Sequence, residues 1–549
     1  VHTSASRLIS RLTLAGAMVA VCFGAQYSAA APAAADAHTL VVGRDLSDVK
    51  TLDPDRLYEL TASIATGNIY DLLVAVRGND VSHPRPALAT HWTISDNRIY
   101  TFYLRHGVRF SNGDPLTAAD VVFSYRRLGY LNDNPAFLMG ARTSGKRVVI
   151  DRVRALGRYA VQFTLPSPDV SFLAALTTAP NFGVLDARVL RAHGGDDSPH
   201  AADTDRAMSW LNEHSIGTGP FLLAGWTPGA SGQIVLRRNP YYWGPRPSLT
   251  QIIFQGVPNS ASQQLEIDRG TVDIAANIST DGAASLRHDS NVTVITGNTL
   301  DLIYLAMTTN STISQPLGHG KVRQAIRAAV DYRGIIRGLL GGNGIQAGSM
   351  IPLGMLGNDR ATNNRLRPHT NLTLARRLLT RAGYPHGFSV TLAYPAGVTF
   401  DGVAYDLLAP EVASDLGGVG IRVTLDPMAI GVFIPAFRSG KEALALLYWR
   451  PDYPDPNNNA TVFSTGGVLA RDFGYTWDAA MTALVTRADQ TSDRARRAAL
   501  YRQVQQIWLS EGPWVPIEQP KGIVVVHRGV LNYHFSPVVT DNLSFVRKR

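Results

Sequence analysis

Residues 447–459 read LYWRPDYPDPNNN, an apolar run that ends in two aromatics and passes into prolines, carboxylates, an arginine and a row of asparagines. These are residue types that grip a ligand rather than transform one. A carboxylate such as Asp452, once shielded from water, needs a cation and takes an ammonium group at short range. An arginine such as Arg450 presents a planar fork to a carboxylate, and Tyr448 and Trp449 offer broad amphipathic walls. The same residues also compose an elaborate turn, with Asp452 paired to Arg450 and the prolines and asparagines setting a rigid bend. Adjacent strand residues point to opposite sides, so one of Tyr448 and Trp449 can line a pocket while the other enters the core.

Signatures of covalent or metal chemistry are weaker. Gly318-His319-Gly320-Lys321 looks like half a phosphate-binding loop, but Val322 replaces the Ser or Thr that would hold magnesium and the leading glycine is missing. There is no HExxH, no GxSxG and no GxGxxG between a strand and a helix. The histidines are scattered singly, which favours core and surface roles over metal ligation. No spacing of carboxylates singles out a glycosidase pair. The expectation is a binding protein without a cofactor, not an enzyme.

The elements that must hold such a site alternate between strands and helices. Short strands are expected at 232–238, 249–257, 387–394 and 420–426, and helices at 321–340, 373–383 and 493–512. In 100–127, an alternating strand leads through an Asn112-Gly113 turn to a helix whose start, Thr117 with Asp120, has the form of a capping box. GTGPF at 217–221 fits a sharp chain reversal better than a phosphate cradle, and Asn239-Pro240-Tyr241-Tyr242-Trp243 fits packing between layers. Helix–loop–strand steps of this kind build α/β layers. A chain of 549 residues exceeds one core, which stops growing at about 250–300 residues, so at least two lobes are expected.

Composition narrows the class. With 45% hydrophobic residues and 17% charged the chain can fold, and its net charge of +9 is spread without the Lys/Arg block of a nucleic-acid face. At the start, Arg7 and Arg11, the apolar stretch Leu12 to Phe23 and the small residues around 28–35 describe a signal peptide over about residues 1–30. Val19-Ala20-Val21-Cys22 is close to a lipoprotein box, but Val21 stands where a small residue is wanted, so ordinary cleavage is expected over lipid anchoring at Cys22. Cys22 is the single cysteine, and its removal excludes disulfides and thiolate chemistry.

Several stretches together resemble the solute-binding proteins of the peptide/nickel/opine branch of ATP-binding-cassette importers, family 5. They are Leu52-Asp53-Pro54, YDLLV (70–74), PALATHW (86–92), YTFYLRHGVRFSNGDPLTAADVVFSYRR (100–127), GTGPF, LRRNPYYWGPRP (236–247), RGTVDIA (269–275), KVRQAIRAAVD (321–331), ARRLLTRAGYPHGF (375–388) and ALYRQVQQIWLSEGPWVPI (499–517). The resemblance implies an α/β, two-lobed type II periplasmic binding fold with an extra domain. Lobe I would comprise 38–74, 204–302 and 521–549, the inserted domain 75–203, and lobe II 303–520. It also implies a monomeric periplasmic receptor that captures di- to oligopeptides in the interlobe cleft and delivers them to a membrane permease with its ATPase subunits. A nickel chelate, opine or sugar conjugate is the alternative ligand, and an enzyme on the same scaffold the more distant one.

By the same resemblance Asp452 matches the aspartate that takes a peptide's α-ammonium, and Arg450 is a candidate for its carboxylate. Tyr448 and Trp449 would line pockets, the segment Leu57-Tyr58-Glu59-Leu60-Thr61 would pair its backbone with the ligand, and Tyr394 and Tyr304 would stand at strand ends near the cleft. Two departures from the family pattern are Asp96-Asn97-Arg98, where a glycine is usual in the turn, and Thr308, where an asparagine is usual.

Overall fold

The apolar run Leu302–Met307 forms a strand buried along its whole length, the pattern of a sheet covered on both faces. Ile303, Leu305 and Met307 enter one hydrophobic cluster and Leu302, Tyr304 and Ala306 another, because successive strand side chains alternate. The computed structural model describes residues 37–78, 80–139, 152–178, 180–464, 469–470, 479–538 and 542–549, all within one unit from Ala37 to Arg549. The expected signal peptide, with Cys22, lies outside the described residues.

The central strand belongs to a sheet of twelve. In chain order these are β1 Thr39–Arg44, β2 Phe221–Thr227, β3 Gln233–Arg238, β4 Gln251–Gly256, β5 Ile274–Ala275, β6 Val292–Asn298, β7 Leu302–Met307, β8 Gly344–Gln346, β9 Ser389–Pro395, β10 Arg422–Met428, β11 Leu444–Trp449 and β12 Trp514–His527. The order across the sheet is β10-β9-β11-β7-β12-β5-β1-β4-β3-β2, with β6 and β8 also paired to β12. The strands expected at 232–238, 249–257, 387–394 and 420–426 are β3, β4, β9 and β10.

β12 joins the two halves. Its residues up to Pro520 pair with β7 and β8, and those from Lys521 onward with β5 and β6. The short link from β6 to β7 runs beside this changeover. There Thr299 donates its hydroxyl to the Pro520 carbonyl at 2.6 Å, and the Gln519 side-chain amide donates to the Thr299 carbonyl at 2.8 Å.

Just before the changeover, Glu518 is buried with neither carboxyl oxygen hydrogen-bonded. Burial, then the nearby Asp401 charge, pushes its pKa from 4.5 to about 8. The native state therefore holds a proton that the unfolded chain releases, and stability falls as pH rises from about 4.5 through 8. Glu518→Gln is expected to gain on the wild-type protein in melting temperature between pH 5 and pH 8; a constant difference would refute a neutral Glu518.

A separate four-stranded antiparallel sheet orders Ala89–Ser95, Ile99–Leu104, Ala160–Thr164 and Val153–Ala155. At its hairpin Asp96 and Asn97 both adopt positive φ, 55° and 52°, the left-handed turn that Asp and Asn tolerate better than other residues with a Cβ. Helix Ala118–Leu131 packs against this sheet and starts with the expected capping box, the Thr117 N–H donating to Asp120 Oδ2 at 2.8 Å. GTGPF is a close approach of two backbones: a Cβ on Gly219 would lie 2.5 Å from the Ile69 carbonyl oxygen, to which the Gly219 N–H donates. Trp243 from the aromatic cluster donates to the buried Asp71 at 2.7 Å, and Thr308 replaces the usual asparagine while its hydroxyl accepts the Asn310 N–H at 3.2 Å.

One expected helix is broken. The span 321–340 is an α-helix only over Gly320–Ala329, followed by a separate wide turn at Gly334–Leu339. Val330 is extended, and the N–H of Asp331 is taken by Asp415 at 2.7 Å, so the backbone leaves the helix there. Apolar periodicity continues through the break, which is why the sequence reads as one element.

Candidate functional site

Two neighbouring chain reversals supply the site. Loop 47–59 leads into the short helix Leu60–Thr66, and LYWRPDYPDP carries β11 into helix Pro456–Phe463. The first is anchored from behind by Arg127, whose fully buried guanidinium meets Asp53 at 2.6 Å, Asp55 at 2.7 Å and Asp205 at 2.8 Å. The Asn181 amide donates to the Pro54 and Leu57 carbonyls at 2.6 and 2.8 Å. This fixes the backbone that presents Tyr58, Glu59 and Leu60.

The second reversal is both a rigid bend and a side-chain platform. Asp455 caps helix Pro456–Phe463 and pairs with Arg497 through both oxygens at 2.7 Å. Pro456 sits at the first helical position, where its missing N–H costs nothing. Asn458 turns back on Asp452, accepting its backbone N–H at 3.1 Å and donating to its carboxylate at 2.9 Å.

Between these reversals lies a cavity of about 180 Å³. Glu59, Leu60, Tyr448, Trp449, Arg450 and Asp452 all line it, as do Tyr58 and Asp48. Helix Ile430–Arg438 forms another wall with Ile430, Ile434 and Phe437. The lining is mainly apolar, with ionic groups placed singly around it.

Asp452 is the most distinctive of these groups. Its Oδ2 accepts the Tyr58 hydroxyl at 3.2 Å and the Asn458 amide at 2.9 Å, both neutral donors, and it makes no ion pair among the described residues. Burial pushes its pKa up to about 6 against the lowering pull of those two hydrogen bonds. The arrangement is a desolvated carboxylate lacking a cation.

Arg450 does not supply one. Its guanidinium binds Asp301 through Nε and Nη2, at 2.9 and 2.5 Å, reaches Asp401 at 3.2 Å and lies over the Phe400 ring at 5.1 Å. The alternative to ligand contact, an Asp452–Arg450 pair, is therefore not found among the described residues. Arg450 is committed to the crossover beside β7, because Asp301 lies fully buried in the link that β11 flanks.

Tyr448 and Trp449 diverge as strand neighbours should. Tyr448 stacks on Phe400 with ring centroids 3.7 Å apart, while Trp449 meets Phe463 edge-on at 5.6 Å. Both keep an edge in the cavity, and the buried Trp449 indole N–H has no acceptor. Tyr304 and Tyr394 are corrections. Tyr304 is fully buried between Phe463 and Trp514, and Tyr394 is buried in the cluster beneath β9; neither lines the cavity. β11, whose end does line the cavity, is as interior to the sheet as β7 and β9; what differs is direction, since Tyr304 and Tyr394 turn into the packed hydrophobic clusters on the sheet faces.

Asp48, Asn458 and the 430–438 helix went unpredicted. Asp48 accepts the Thr61 N–H at 3.2 Å through one oxygen, its other is buried without a partner, and burial raises its pKa to about 6. The apolar spacing of IGVFIPAFR marks a helix face in sequence, but nothing there says the face meets a cavity.

Residues 83–469 match the sequence profile of the bacterial extracellular solute-binding proteins, family 5. The chain is 27% identical, over 93% of its length and 94% of the relative's, to a probable D,D-dipeptide-binding periplasmic protein of Escherichia coli. A periplasmic binding protein of Helicobacter pylori solved with the peptide STSA superposes with a TM-score of 0.80 at 25% identity, over 93% of this chain and 98% of that one. A dipeptide-binding protein of Pseudoalteromonas solved with Met-Leu has the same fold, with a TM-score of 0.82 at 23% identity, over 93% of this chain and all of that one.

Proposed function

The chain belongs to family 5 of the bacterial extracellular solute-binding proteins, and from that membership we propose that it is the periplasmic peptide receptor of an ATP-binding-cassette importer. Asp452 carries the proposal. A carboxylate half-buried in a mainly apolar cavity, bonded to neutral donors and lacking a cation, suits the α-ammonium of a peptide better than any neutral group. Loop 57–61 would face the ligand's backbone, and backbone pairing gives affinity without reading side chains.

The two halves of the sheet act in this proposal as lobes: 38–74, 204–302 and 521–549 in one, 303–520 in the other, with 75–203 packed beside the first. Closure bends the two adjacent crossovers and brings Tyr58 to Asp452, in keeping with hinge motion absorbed by a few element-terminal residues. The closed receptor, as a monomer, would then dock on its permease and release the peptide without chemical change.

The cavity suggests the short end of the peptide range. An apolar cavity of about 150 Å³ holds a benzene-sized molecule, so about 180 Å³ takes at most part of a small dipeptide, and anything larger only as the cleft opens. Ligands that bind only the native state raise its stability by about 2.7 kcal/mol at a hundredfold excess over Kd. Ala-Ala is expected to raise the melting temperature clearly, pentapeptides less, and N-acetylated dipeptides not at all. A shift with nickel–histidine or an opine and none with peptides would replace this reading.

A further inference from the structure

Arginines from separate parts of the sequence gather on one face of the fold. Arg237 and Arg238 end β3, Arg246 follows in the loop toward β4, and Arg547 arrives with the last residues of the chain. Arg237, Arg238 and Arg246 line a hollow of about 690 Å³, and Arg246 is shared with a second hollow of about 530 Å³ that Arg547 also lines. Neither hollow has an Asp or Glu in its lining, and none of the four arginines makes an ion pair among the described residues. The positive charge therefore stands on this face without a carboxylate to offset it.

The face is held in place by its own backbone. Arg238 donates to the Pro247 carbonyl at 3.0 Å, and Pro245 and Pro247 flank Arg246 and narrow its conformational freedom. Two aromatic rings stand out beside the charges: Tyr241, in the same loop, is 46% exposed, and Phe545, in the second hollow, 48%. Guanidinium groups joined with exposed rings suit a boundary between water and hydrocarbon, where the ring sits at headgroup depth and the planar fork takes phosphate oxygens. The place in the fold fits as well, since β2 and β3 close the sheet at its end remote from β11 and none of these six residues lines the peptide cavity.

We propose that this face binds the phosphodiester headgroups of an anionic lipid surface, so that the protein rests on the membrane with its peptide cavity left free. This goes beyond the peptide reading and does not depend on the identity of the ligand. Each arginine close to such a surface strengthens attachment about fivefold, and the contributions add across a cluster that is too scattered in sequence to show as a basic block. A receptor held at the membrane also meets a membrane permease at a raised local concentration. A single phosphate ion would fill one hollow, whereas two adjoining hollows with exposed rings beside them match an array of headgroups.

The test is co-sedimentation of the exported protein, free of its apolar leader, with vesicles of phosphatidylcholine alone or mixed equally with phosphatidylglycerol. Wild type is expected on the mixed vesicles only, and to leave them between about 0.1 M and about 1 M salt, where the screening length shrinks from about 10 Å to about 3 Å. Arg237→Gln/Arg246→Gln should bind about thirtyfold more weakly, and Arg237→Lys/Arg246→Lys within about threefold of wild type because the charge is kept. Both variants should retain the wild-type melting temperature and Ala-Ala affinity. Equal attachment to the two kinds of vesicle, attachment to neither, or a double Gln variant that binds as well as wild type overturns the proposal. Inorganic phosphate that releases the protein at constant ionic strength would assign the hollows to the free ion, and poly-glutamate bound more tightly than the vesicles would assign the face to an acidic protein; either result overturns it too. Attachment to mixed vesicles by a wild type that ignores Ala-Ala supports this proposal and removes only the peptide reading.

Discussion

Asp452→Ala is expected to weaken dipeptide binding by roughly thirtyfold to several-thousandfold, the ~2–5 kcal/mol lost when one partner of a buried hydrogen-bonded charge pair is removed. Its signature is pH dependence. With Tyr58 and Asn458 hydrogen-bonded to it and no ligand present, burial holds the Asp452 carboxyl near pKa 6. The ammonium requires the carboxylate form, so affinity is full above about pH 6 and falls toward tenfold per unit below it. The peptide's own α-amino group loses its proton only above about pH 7.7–8.0, which leaves a plateau between. Calorimetry from pH 5 to 7.5 should show this slope in wild type and none in Asp452→Ala; equal affinities for the two proteins would return Asp452 to the role of a turn residue.

The same shift works against the empty protein. A carboxyl whose native pKa is raised contributes stability at low pH that is lost as pH rises through the native value. Unliganded Asp452→Asn should therefore melt higher than wild type at pH 7.5 while losing the stabilisation that peptides confer.

Arg127→Met is expected to destabilise the protein by about 3–5 kcal/mol, the usual consequence of leaving buried charges without their partner. Asp53, Asp55 and Asp205 all converge on that guanidinium, and Arg56 reaches Asp205 at 3.3 Å and Asp133 at 3.3 Å from a more exposed position. Burial already pushes Asp55 up to about 8 with Arg127 present, and without the lowering pull of that guanidinium it rises further. Urea denaturation at pH 7.5 and pH 5 should show a smaller loss at the lower pH, where protonation relieves the stranded charges. A loss below about 1 kcal/mol at pH 7.5 would mean the cluster is not a keystone of the loop, since ordinary surface changes stay within about 0.5 kcal/mol. Weaker peptide binding should accompany the destabilisation, because the anchored backbone runs directly into Tyr58, Glu59 and Leu60.

Much of this arrangement could be read from sequence where the signal is local. The capping box at Thr117 and Asp120, the strand at 387–394 and the close turn at GTGPF each depend on neighbouring residues, and each formed. The twelve-stranded sheet was not legible, since β12 pairs strands far from it in sequence and no local pattern encodes that. Asp452, Glu59 and Leu60 came from the resemblance, and the structure brings them together around one cavity. Arg450 could not be assigned because its partners, Asp301 and Asp401, approach from distant segments. Tyr304 and Tyr394 failed for a different reason: strand aromatics look alike in sequence whether their side chains turn into a packed cluster or toward a cavity.

The position of β12 also governs how the molecule comes into being. It completes both halves of the sheet, and β5, β6, β7 and β8 all leave the ribosome long before it does. Until residues 514–527 have been made, β6 and β8 lack their partner and β5 and β7 are each paired on one side at most. Long-range pairing of this kind is slow and exposes unpaired edges that invite aggregation. If the chain is exported, as the periplasmic receptor proposed above would be, the delay is useful, because an unfinished sheet can still be threaded through a narrow channel.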